Sequence, residues 1–123
     1  MSDEEIDERL IAILRSLLRR TRHRKIDWTP GEAAGSEAFY YHLPTSSLEI
    51  RSKKGDGNPP YILSVRDSFG SKLDELATDP WGEHSYNEEL AELFRLARRQ
   101  SLMVDETLDQ LLADLRKEES EEG

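Results

Sequence analysis

The chain has 123 residues, no cysteine, and a formal charge of −9 from 26 acidic against 17 basic side chains. That length suits one domain able to bury a core without a metal or disulfide staple, and the missing thiols exclude disulfides and thiolate chemistry. Net negative charge disfavours a general affinity for nucleic acid or anionic membrane. The acidic opening Met1-Ser2-Asp3-Glu4-Glu5 and the lack of any apolar run near the roughly 18 residues of a membrane span argue against export or membrane insertion, so a cytoplasmic protein is expected.

Residues 2–24 read as a helix. Ser2 and Glu5 have the spacing of a capping box, and Ile6, Leu10, Ile13, Leu14, Leu17 and Leu18 recur at three- and four-residue intervals as an apolar stripe. Five acids lie between Asp3 and Glu8, and six bases with no acid lie between Arg15 and Lys25. This order complements the helix dipole. The segment 25–31 ends the helix at Pro30-Gly31, with Ile26 and Trp28 on one side and Trp28 expected to cap the core. Residues 32–36 carry no pattern and read as a loop.

Three runs then alternate apolar and polar residues with the period of half-buried strands. In the first, Phe39, Tyr41 and Leu43 share a face opposite Ala38, Tyr40 and His42. In the second, Leu48, Ile50 and Ser52 alternate with outward Glu49, Arg51 and Lys53. Residues 54–60 are turn-rich, and Tyr61, Leu63 and Val65 point inward in the third. Asp67-Ser68-Phe69-Gly70 predicts a hairpin turn into a fourth strand over 71–76, where a single helical turn also fits.

After the breaker-rich segment 78–84, Leu90, Leu93, Phe94 and Ala97 predict a helix from Asn87, as N-cap, to Gln100. A break over 101–105 leads to a last helix capped by Asp105, with Leu108, Leu111, Leu112 and Leu115 as its stripe. Residues 118–123 have nothing to bury and are expected to fray. The resulting fold class is a single α+β domain: an N-terminal helix, a three- to four-stranded antiparallel meander, and two C-terminal helices packed on one sheet face.

Two surfaces are candidate binding sites. Arg15, Arg19 and Arg22 share a helix face that Arg20, Arg24 and Lys25 extend, a patch able to grip phosphates or an acidic peptide. Its structural alternative is a solvated face neutralised by acids of the C-terminal helix. Trp81, His84 and Tyr86 form an aromatic and polar cluster in a connection, where function often resides; the alternative is that Trp81 folds back on the core. Neither the three histidines nor Asp56-Gly57-Asn58 has metal-ligand spacing. No nucleophile motif or phosphate-cradling glycine loop occurs, so neither catalysis nor a cofactor is expected.

The run Lys25–Leu76, with Ile26-Asp27-Trp28-Thr29-Pro30, Leu43-Pro44-Thr45-Ser46-Ser47, Gly55-Asp56-Gly57-Asn58-Pro59-Pro60-Tyr61 and Asp67-Ser68-Phe69-Gly70, resembles small bacterial proteins of unassigned function. Leu96-Ala97-Arg98-Arg99 followed by Asp105-Glu106 and a leucine stripe is similar too. The shared motifs are turns and core positions, so the resemblance implies a fold and no catalytic residues. Three leucine-striped helices offer more apolar surface than one small sheet face covers, and surplus stripes meet another chain or each other. The expected function is a non-enzymatic interaction or regulatory module, an adaptor or inhibitor, acting through a protein partner or self-association as a homodimer. The alternative is nucleic-acid binding through the basic face of the first helix, disfavoured by net charge.

Overall fold

The computed structural model describes residues 7–31, 37–78 and 86–122. The chain order is α1 (Glu8–Arg22), β1 (Thr29–Pro30), β2 (Ala38–His42), β3 (Ser46–Ser52), β4 (Tyr61–Asp67), β5 (Lys72–Ala77), α2 (Tyr86–Ser101) and α3 (Val104–Glu122). The strands form one antiparallel sheet in the order β1-β2-β3-β4-β5. This is the α+β meander that the alternation predicts, with one strand more. Thr29–Pro30 pairs with Tyr40 and Phe39 at the sheet edge, a place where proline's missing N–H leaves no ladder bond unmade.

One sheet face is dry. Phe39, Ile50, Leu63 and Leu76 lie in cross-strand register and are almost wholly buried. Helix α2 lies across β1 to β4, and α1 packs beside α2 and reaches β5. Leu90, Leu93, Phe94 and Ala97 of α2 and Leu10, Leu14, Leu17 and Leu18 of α1 complete the core. Phe94 stacks on Tyr61 at 4.6 Å and tilts against Phe39 at 5.7 Å between ring centroids. Trp28 caps this core as expected, and its indole N–H donates to Thr21 Oγ1 at 2.9 Å.

The helix ends differ from the sequence reading. Within the described residues helix α1 starts at Glu8, where Asp7 is extended (φ −65, ψ 119) and its carboxylate accepts from the Arg9 N–H, as an N-cap does. Hydrogen bonds from the Arg9 guanidinium hold the Asp7 carboxyl at about 2. The Ser2–Glu5 box and the 32–36 loop lie outside the described residues. At the other end Arg24 takes a left-handed conformation (φ 58), and the Lys25 N–H donates to Arg20 O at 2.8 Å. That bond closes α1 as a Schellman motif. Helix α2 begins at Tyr86, so Asn87 lies inside its first turn rather than capping it. Helix α3 remains helical to Glu122, past the point where fraying was expected.

Candidate functional site

Among the described residues, helix α3 is the element that the rest of the fold leaves uncovered. Met103 adopts a left-handed conformation (φ 53) in the turn after α2, and the chain re-enters a helix at Val104 on a new axis. Asp105 is in the first turn of α3 rather than at its cap. Its carboxylate accepts from Arg99 and stands 3.9 Å from the Arg24 guanidinium, which ties the base of α3 to the ends of both other helices. Beyond that anchor Leu108, Leu111, Leu112 and Leu115 are 50, 52, 47 and 48 % exposed. Leu102 and Met103 at the corner are also exposed. The surplus apolar stripe inferred from sequence is therefore located on α3.

Beneath the α2–α3 corner is a polar cleft of about 460 Å³, rimmed by Arg22, Arg24, Arg99, Asp27, Asp105 and Glu106. The basic island of α1 leads into it and is partly consumed by the fold. Arg15 donates to Glu89 at 3.2 Å, and Arg22 makes two bonds to Glu92, at 2.7 and 2.5 Å. These bonds clamp α1 to α2, so the neutralising acids come from α2 and, for Arg24, from Asp105, more than from the C-terminal helix at large. The same contact holds the Glu92 carboxyl below its usual range and raises the Arg22 guanidinium. Arg19, Arg20 and Lys25 are exposed and make no ion pair among the described residues.

Of the second cluster, Trp81 and His84 lie outside the described residues. Tyr86 is buried in the core at the start of α2, so it is a packing residue rather than part of an open surface. Among the described residues no group of three metal-ligating side chains converges, and no helix is long and apolar enough to cross a membrane.

The sheet face away from the helices holds a cluster that strand alternation alone does not reveal. Glu49, assigned by alternation to the wet face, is 4 % exposed. It accepts from the Tyr40 hydroxyl at 2.7 Å and from Arg66 at 3.2 Å, and Arg51 stands at 3.6 Å. Burial, then the Glu49 contact, pushes the Tyr40 hydroxyl up. Ser64, in register with Glu49, is buried with its hydroxyl unpartnered. Only the register brings Tyr40, Glu49 and Arg66 together, so no signal local to any one strand announces them. The Tyr40 hydroxyl and two guanidiniums supply the donors and opposite charge that a buried carboxylate requires.

No protein-family model, curated protein or solved structure matches the chain.

Proposed function

We propose that the chain is a non-enzymatic protein–protein interaction module, an adaptor or inhibitor of a bacterial cytoplasm, with α3 as its docking element. The observation that carries this reading is the row of four half-exposed leucines on one side of a 19-residue helix. Most helical stability in proteins comes from packing of an apolar face rather than from propensity, and an exposed apolar stripe is stabilised when a partner covers it. At the polar cleft Glu92 and Asp105 engage Arg22, Arg24 and Arg99, and Glu49 is engaged by Tyr40, Arg66 and Arg51. The nucleic-acid alternative relies on Arg15, Arg19 and Arg22, and carboxylates of α2 already engage two of these three.

The test is affinity capture from the native host with the wild-type chain and with a Leu108→Glu/Leu115→Glu double variant. The expected result is at least one protein, this chain included, retained by the wild type and lost with the variant. An identical set retained by both would overturn the reading.

A further inference from the structure

Resting on the docking role of α3, we infer that the occupant of its stripe is a second copy of this chain, with the two α3 helices antiparallel. The leucines are spaced three, one and three residues apart, at 108, 111, 112 and 115. That spacing reads the same from either end, so a two-fold axis between Leu111 and Leu112 maps the stripe onto itself. Leu108 of one copy then opposes Leu115 of the other, and Leu111 opposes Leu112. An isologous interface requires such self-complementarity.

Charge complementarity supports the same arrangement. At 3.6 residues per turn, Asp105, Asp109 and Arg116 share one flank of the stripe. An antiparallel two-fold brings like flanks together in reversed order, so Arg116 falls between Asp105 and Asp109 of the second copy. Helix α3 also ends badly by itself. Its last turn contains no base and its tail carries Glu118, Glu119 and Glu121, acids at the negative end of the helix dipole. The last turns of α1 and α2 both hold arginines. In the antiparallel pair each acidic tail reaches the other copy's α2–α3 corner, where Arg24 and Arg99 rim the polar cleft. A parallel pair would instead set the two acidic tails side by side. The stripe, with Leu102 and Met103 at its base, offers on the order of 1,000 Å² of total buried surface, the lower bound for a specific interface.

Sedimentation equilibrium of the full chain is the first measurement. A mass twice 14.2 kDa is expected at tens of micromolar. Leu111→Glu, which places a carboxylate at the two-fold, is expected to weaken the dimer by roughly 100-fold or more while the near-ultraviolet spectrum of buried Trp28 is retained. The chain has no cysteine, so Leu108→Cys and Leu115→Cys report orientation. Mixed under oxidation, they are expected to form a disulfide with each other and neither with itself. Self-linking of Leu108→Cys would overturn the antiparallel arrangement, and a monomer at every concentration would overturn the second copy as occupant. In that last case, leucine-dependent capture of a different protein would leave the docking role of α3 standing, and its absence would remove both.

Discussion

Truncating Leu63 to alanine separates the roofed core from the open helix by a single chemical change. Leu63 is wholly buried in β4, between Ile50 of β3 and Leu76 of β5, on the face that α1 and α2 cover. Removing its branched end forfeits transfer free energy and leaves a cavity, together about 2.7–5 kcal/mol in well-packed cores. The upper part of that range applies, because a central strand hydrogen-bonded on both sides cannot collapse into the space. With an unfolding entropy of about 2.1 cal/mol/K per residue over 123 residues, a loss of about 3.5–5 kcal/mol lowers the melting midpoint by about 13–19 °C. The same change at Leu111, 52 % exposed on α3, is expected to stay within about 0.5 kcal/mol for the monomer. Urea titrations followed by far-ultraviolet circular dichroism, below the concentration of any association, measure both. Equal losses for the two variants, or a Leu63→Ala cost below about 1 kcal/mol, would refute the assignment of core and surface.

Acidification should weaken the α1–α2 clamp. The Glu92 carboxyl is held below its ordinary value chiefly by the Arg22 hydrogen bonds, so its contribution is present at neutral pH and is lost as pH falls through the folded-state value. Both side chains are partly exposed, so the effect is at most about 1 kcal/mol. The urea midpoint of the wild type is expected to drop more between pH 5 and pH 3 than that of Glu92→Gln, and superimposable profiles would contradict the clamp. Gly70 turns the β4–β5 hairpin at φ +86, and nothing lies within 4 Å of an added Cβ. Gly70→Ala should therefore cost only the backbone term, roughly 1–2 kcal/mol, and a neutral result would deny the left-handed turn. Trp28→Phe removes the indole donor from buried Thr21 Oγ1 at roughly 1–3 kcal/mol. Adding Thr21→Val should recover part of that loss, and a strictly additive double variant would show that the two groups are uncoupled.

What the sequence discloses is what local periodicity encodes. Alternation at Phe39–Tyr41, Leu48–Ile50 and Leu63–Val65 assigns the dry face correctly, and Asp67-Ser68-Phe69-Gly70 marks its hairpin because the Asp67 side chain accepts from the backbone N–H of Phe69 and Ser71. Strand β1 escapes notice because two residues have no period. The burial of Glu49 escapes because alternation gives direction, not the register that encloses it. For the same reason the partners of Arg15 and Arg22 cannot be chosen from 26 acids until α1 is laid beside α2. Gln100 is another such residue. Its side-chain amide donates to Ile26 O and accepts from the Trp28 N–H, pinning the segment that leads into β1, and a lone glutamine at a helix end has no distinguishing pattern.

The emptiness of the α3 stripe follows from the same geometry. A leucine-lined helix needs an apolar seat, and the sheet has only two faces. One is already roofed by α1 and α2, whose own stripes saturate Phe39, Ile50, Leu63 and Leu76. The other is centred on Glu49 with Tyr40, Arg51 and Arg66 around it, and leucines laid there would strip water from charges without replacing its hydrogen bonds. Nor is α3 merely a solubilising tail. Residues 104–122 hold eight acids against two bases, a net −6 of the chain's −9, yet four leucines stay aligned on one side, where a segment needing only solvent would have none. Among the described residues α3 has an apolar stripe, many acids and no seat, so the proposed partner surface should be apolar along its centre and basic near its ends. The α3 stripe of a second copy, with Arg24 and Arg99 at its corner, supplies both features from the same surface.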